Sequence, residues 1–204
     1  MDIKICGITN AEDALCAVDA GADYLGFVLY AGSPRGISVR DLGRIRVELA
    51  ASIPIVAVMV NPTIDAASEA IEVGGANIIQ VHGDVAFSAF KDFPHPLWRA
   101  MTAGDGQFAP DPTIWPAERY VVDAAVPGQH GGTGVLADWD VAAKLSQNHP
   151  VMLAGGLKLG IVAAAIHAVH PLGVDVSSGV EIRPGKKDHA MVRAFIAEAR
   201  SVAA

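Results

Sequence analysis

Eight short runs of near-continuous apolar character recur along the chain, separated by alanine-rich stretches in which apolar positions return every three to four residues. The runs are IKICGI from Ile3, DYLGFVL from Asp23, IPIVAVMV from Ile53, NIIQVH from Asn77, PLWRAM from Pro96, RYVVDA from Arg119, PVMLAG from Pro150 and VDVSS from Val174. A strand with one wet face would alternate; unbroken apolar runs suit parallel strands covered on both sides. The stretches between them have the period of amphipathic helices. Eight such units in 204 residues, about 25 residues each, predict an α/β fold: a single-domain, compact (β/α)8 barrel spanning residues 1–204. A doubly wound open sheet is the alternative, but that fold usually announces itself by a glycine-rich first βα turn.

Local signals sharpen parts of this reading. Thr9 and Glu12 have capping-box spacing, Ala11, Leu15 and Val18 form a candidate apolar stripe, and Gly21 stands at the expected C-cap of the first helix. A faint repeat, Gly21-Ala22-Asp23, Gly75-Ala76-Asn77 and Gly173-Val174-Asp175, marks three places where a helix should stop and a strand start. Met191, Ala194, Phe195 and Val202 give the last helix one apolar face. The fifth helix is expected to be short or irregular, because AGDGQFAPDPTIWP is rich in glycine and proline.

Composition then narrows the class. Hydrophobic residues make up 51% and charged residues 18%, which excludes a disordered chain, and a net charge of -7 argues against a nucleic-acid binder. Any anion site must therefore be built locally. Cys6 and Cys16 do not make a disulfide framework, and no apolar run is long enough for a bilayer, so a cytoplasmic protein without membrane partners is expected. The histidine spacings suggest no metal site.

In a barrel of this kind chemistry sits at the C-terminal ends of the strands. There the sequence turns polar: Cys6-Gly7 after strand one, Ser33-Pro34-Arg35 after two, His82-Gly83 after four and Asp123 at six. Gly155-Gly156 and Ser177-Ser178-Gly179 follow strands seven and eight, a pattern in which backbone N–H groups can converge on a phosphate without lysines. Strands six, seven, eight and one are consecutive in the ring, so a phosphate site there is flanked by Asp123 on one side and Cys6 on the other. Lys4, two residues before Cys6, shares its barrel-facing side, and Asp175 on the adjacent strand is its natural partner. Cys16 lies within the first helix and reads as structural.

KICGIT, SPR, QVHGD, VVDA, GGTGVLADWD, LAGGL and DVSSGVEIRPGKKD, in that order, resemble the phosphoribosylanthranilate isomerases of tryptophan biosynthesis from about Lys4 to the last helix. KICGIT and SSGVE…PGKKD are the specific pieces; LAGGL is shared with many phosphate-binding barrels. The resemblance implies an intramolecular oxidoreductase of the aldose–ketose isomerase type that needs no cofactor. It also implies Cys6 as general base, Asp123 as general acid and Arg35 at the anthranilate end of the substrate. His82 is expected only to line the site. Gly36 and Ile37 follow Arg35 where an aromatic residue is common in the family, and Lys158-Leu159-Gly160 also departs from its usual wording.

Both catalytic groups need help. A free cysteine, pKa about 8.5, is mostly thiol at neutral pH and an aspartate near 3.9 mostly ionised. Lys4 is expected to favour the Cys6 thiolate while pairing with Asp175, and closure over an aromatic substrate to raise Asp123. His130, in the glycine-rich PGQHGGTG, marks a candidate lid. His95, His149, His167, His170 and His189 are expected in solvent. The runner-up, the sister isomerase of histidine biosynthesis, would place an aspartate at Cys6 and a second glycine cradle where VNPTI stands. A non-catalytic phosphosugar-binding barrel would need no acid–base pair. The partner expected is a small phosphoribosyl substrate, with the chain a monomer or homodimer.

Overall fold

The computed structural model describes residues 1–49, 52–104, 107–124 and 138–202. In chain order its strands are β1 (Asp2–Ile5), β2 (Tyr24–Val28), β3 (Ile55–Val60), β4 (Ile78–His82), β5 (Leu97–Gly104), β6 (Gln107–Ala109), β7 (Arg119–Ala124), β8 (Val151–Leu153), β9 (Gly173–Val176), β10 (Glu181–Arg183) and β11 (Lys186–Lys187). The helices are α1 (Ala11–Asp19), α2 (Val39–Arg46), α3 (Ile64–Glu72), α4 (Trp139–Ser146), α5 (Val162–Val169) and α6 (His189–Val202). Parallel pairing runs β1–β2–β3–β4–β5–β7–β8–β9 and returns from β9 to β1, closing the eight predicted strands into a barrel. His130 and the run around it lie outside the described residues. Among the described residues no helix is long and apolar enough to cross a membrane.

Strand alternation sorts the side chains into two cores. Ile3, Ile5, Leu25, Phe27, Val174 and Val176 pack outward against the helices with Val192, Phe195 and Ile196. Val56, Val58, Ile78, Trp98, Val121 and Met152 fill the barrel. Its N-terminal mouth is plugged by Arg119. The guanidinium lies 5.0 Å from the ring centres of both Tyr24 and Trp98, and it pairs with Asp2.

Several local expectations are corrected. Asn10, not Thr9, caps α1: its side chain accepts from Asp13 N, while the Thr9 hydroxyl donates to Gly185 O. Ala20 is the C-cap and Gly21, at φ 94°, follows it. The face that α1 buries carries Asp13, Ala14, Cys16 and Ala17, and Leu15 is exposed. Val192, Phe195, Ile196 and Ala199 are the buried stripe of α6, with Met191 and Val202 at its edge.

The repeat holds in two places of three. Asp23 and Asn77 each accept a hydrogen bond from a backbone N–H at the start of a neighbouring strand, at Ile3 and Ile55. In the third unit His170 takes the left-handed position, at φ 49°, and Gly173 sits inside β9, where a Cβ would press on Asp2 O at 2.5 Å. The fifth unit carries the antiparallel hairpin β5–β6 in place of a regular helix among the described residues, and the fourth is reduced to a 3-10 turn at Phe87–Ala89. At Lys158-Leu159-Gly160, Glu198 of α6 accepts from Gly160 N at 2.9 Å, meeting the start of α5 that no local side chain caps.

The feature that ties α1 to the C-terminal segment is Asp13. Fully buried, its carboxylate accepts from Lys187 N, Lys186 Nζ, Asn10 Nδ2 and His189 Nε2, all within 2.9 Å, so His189 is not the solvated histidine expected. Burial alone raises the acid, but these donors outweigh it and bring it from 3.8 to about 2. The carboxylate therefore stabilises the fold above the unfolded value, and that contribution is lost as the pH falls towards about 2. Asp13→Asn should lose about 2 kcal/mol in urea unfolding at pH 7, with the gap to the unsubstituted protein narrowing between pH 4 and the lowest pH at which both remain folded.

Candidate active site

A cavity of about 460 Å³ opens at the C-terminal mouth of the barrel. It is lined by Cys6, Arg35, His82, Asp123, Gly155, Gly156, Asp175, Ser177 and Ser178, so nearly every candidate residue faces one space. Lys4 lies beneath this wall, and Gly179 behind it, so close to Leu157 that a Cβ there would meet Leu157 O at 1.9 Å. Gly179 thus lets the turn after β9 pack on the turn after β8. Gly155 and Gly156 both adopt positive φ, 76° and 63°, the backbone freedom a tight anion-facing turn requires.

The arc β7–β8–β9–β1–β2 carries Asp123, the glycine pair, the two serines, Cys6 and Arg35 in that order. On β1, Lys4 and Cys6 point inward because Ile3 and Ile5 point outward. Lys4 Nζ lies 2.9 Å from Asp175 Oδ2, both groups buried, and the two residues are register partners across β1 and β9. Asp175 Oδ1 and Ser177 Oγ are buried without a hydrogen-bond partner among the described residues.

Burial raises the Cys6 thiol above its ordinary value; Lys4 draws it down, Asp175 pushes it up, and burial wins. For Lys4 burial acts downward but is outweighed by Asp175 and Cys6, which hold the ammonium above its ordinary value. Lys4 and Asp175 thus act on the thiol in opposite directions.

Arg35 is more committed than its sequence context suggests. Its Nε and Nη2 donate to Glu181 at 2.9 and 2.8 Å, and Lys187 Nζ donates to the same carboxylate at 2.9 Å and to Ser177 O at 3.1 Å. The Arg35 stem lies on Gly7, at φ 72°, where a Cβ would meet Arg35 Cδ at 2.5 Å. Tyr30 also lines the cavity and stacks on Gly32, placing an aromatic ring in the loop whose usual position holds Gly36. On β4, His82 Nε2 and Gln80 Nε2 are 2.9 Å apart.

The same fold is found in known proteins. Residues 3–198 match the family model for N-(5'-phosphoribosyl)anthranilate (PRA) isomerase. The chain belongs to the phosphoribosylanthranilate isomerase family. A Pelobacter propionicus N-(5'-phosphoribosyl)anthranilate isomerase is 41% identical over 95% of this chain and 93% of its own. The Thermus thermophilus phosphoribosyl anthranilate isomerase structure is 30% identical with a TM-score of 0.88, covering 99% and 100% of the two chains. A phosphoribosyl anthranilate isomerase in complex with reduced 1-(o-carboxyphenylamino)-1-deoxyribulose 5-phosphate is 31% identical with a TM-score of 0.83, over 98% and 99%. Like the other members, this chain is an isomerase.

Sequence reasoning did not single out Gln80, Tyr30, Glu181, Lys187 or Gly26 of this isomerase. Gly26 left a signal: a glycine within an apolar strand marks a close approach. A Cβ at Gly26 would lie 2.7 Å from Cys6 Sγ and 2.9 Å from Lys4 Cε. Gly26→Ala should leave the barrel folded but destabilised by about 1–3 kcal/mol, and should lower turnover at least tenfold by displacing Cys6. Circular dichroism melts and turnover on the same preparation check both.

Proposed function

We propose that the protein catalyses the Amadori rearrangement of N-(5-phosphoribosyl)anthranilate to 1-(2-carboxyphenylamino)-1-deoxyribulose 5-phosphate in tryptophan biosynthesis, without a cofactor, with Asp123 as general acid and Cys6 as general base. The observation that carries this reading is the order of groups around the cavity, with the glycine and serine turns between Asp123 and Cys6. A phosphate held by the backbone at Gly155, Gly156, Ser177 and Ser178 leaves the ribose between acid and base. Gly179 contributes by letting the two turns meet.

Asp123 gives its proton to the furanose ring oxygen, and the C1–O bond opens as the anthranilate nitrogen forms an iminium. Cys6 then takes the proton from C2, leaving an enolamine, and protonation at C1 with loss of the O2 proton yields the ketone. Arg35 faces the anthranilate end, where its cation can meet the carboxylate or ring. His82 lines the cavity. Lys4 and Asp175 govern how readily Cys6 gives up its proton: the ammonium is the cation that offsets a thiolate in a buried site.

Two measurements test this reading. With phosphoribosylanthranilate generated in situ, its fluorescence should decay with the unsubstituted protein, at least a hundredfold more slowly with Cys6→Ala, and comparably slowly with Asp123→Asn. Equal decay with Cys6→Ala removes the thiol from the mechanism; no decay with any form leaves a binding protein. A thiol held above its ordinary value must lose its proton to act, so kcat/KM should rise with pH through the alkaline range. Without the Lys4 ammonium the rise should move to still higher pH. An unchanged profile in Lys4→Met would exclude this role.

A further inference from the structure

Arg35, Glu181 and Lys187 form a buried unit beside the cavity that the acid–base chemistry does not use. Their side chains are 11%, 3% and 0% exposed. Glu181 grips two nitrogens of one edge of the Arg35 guanidinium, and Lys187 fixes the other side of the same carboxylate. Lys187 is itself anchored on Ser177 O, at the turn that follows β9. Two cations and one carboxylate leave a single positive charge, and it is presented by Arg35, since Lys187 is fully buried and Arg35 lines the cavity. A long arginine on a loop ordinarily samples many rotamers, and a fork on a fixed carboxylate removes that freedom. Gly7 provides the space in which the fixed side chain lies.

We propose that Glu181 is a positioning residue for substrate binding: it holds the Arg35 guanidinium in one orientation at the cavity wall, with Nη1 and the planar face left for the anionic aromatic end of the substrate. This rests on the reading of Arg35 as a substrate contact. Burial raises the Glu181 acid, and Arg35 and Lys187 more than reverse it, so the carboxylate is charged throughout the working range. Lys187 remains the second anchor: burial depresses its ammonium and Glu181 opposes that.

The test is a double-mutant cycle in which KM and kcat for phosphoribosylanthranilate are measured for Glu181→Gln, Arg35→Met and the double variant, with thermal melts alongside. Arg35→Met and Glu181→Gln should each raise KM about tenfold, with kcat changed less than about threefold, and the double variant should match Arg35→Met alone. Additive increases in KM, or a fall in kcat with KM unchanged, would overturn the proposal. If Arg35→Met raises KM and Glu181→Gln does not, the substrate contact stands and the positioning role is wrong. If Arg35→Met leaves KM unchanged, the contact itself is wrong and the proposal goes with it. Should Glu181→Gln fail to fold, Glu181→Asp serves the same cycle, because it keeps the charge beside Lys187 but is one methylene too short for the fork.

Discussion

The ion pair between Lys4 and Asp175 sits at the seam where the first and last barrel strands meet, and much of the site depends on it. A buried lysine without a partner would lose its charge or unfold the strand, so β1 and β9 must meet in the register that sets Lys4 opposite Asp175. A slip of β1 by one residue would turn Lys4, and Cys6 with it, into the apolar layer under the helices and away from Asp175. The same pair explains Gly26. With an ammonium and a thiol side by side on β1, the adjacent strand has no room for a side chain at that level. Barrel closure, charge burial and the position of Cys6 are therefore one constraint.

This arrangement also resolves how a chain with a net charge of -7 can hold an anionic substrate. Lys4, Arg35 and Lys187 stand against Asp175 and Glu181 at one side of the cavity, a local excess of one positive charge. Buried charges are screened far less than surface ones, so that excess acts on the cavity while the acidic residues outside it are screened by water and salt. The backbone turns after β8 and β9 add dipoles without adding charge.

The barrel and most of the site were legible because they rest on short-range rules. Continuous apolar runs give strands, alternation sends Lys4 inward with Cys6, and ring order places Asp123 and Cys6 on either side of the glycine and serine turns. What was not legible depends on pairs distant in sequence. Nothing near Asp13 says that Lys186, Lys187 and His189 converge on it, and Thr9 made an attractive cap until Asn10 took the position and Thr9 reached Gly185. Gly173 had the composition of a helix stop, but close packing on Asp2 and Met152 decided its place instead. The Glu181 carboxylate that holds Arg35 was not legible either, because it lies 146 residues away.

The two ends of the barrel divide stability from chemistry. At the N-terminal mouth Arg119 is satisfied by Asp2, by the Tyr24 hydroxyl and by two aromatic faces, a closed set that offers a ligand nothing. At the C-terminal mouth Asp175 Oδ1, Ser177 Oγ and Gln80 Oε1 are buried without partners among the described residues, and the left-handed glycines add backbone that few residues could replace. Unpaired buried acceptors cost stability, and among the described residues they gather at this cavity. The irregular fourth and fifth units follow β4 and β5, which stand opposite β9 and β1 in the ring, with β5 paired directly to the β7 strand that carries Asp123. Loss of regular helices there spares β8, β9 and β1, which carry the glycine pair, the serines and Cys6 and are each followed along the chain by an α-helix.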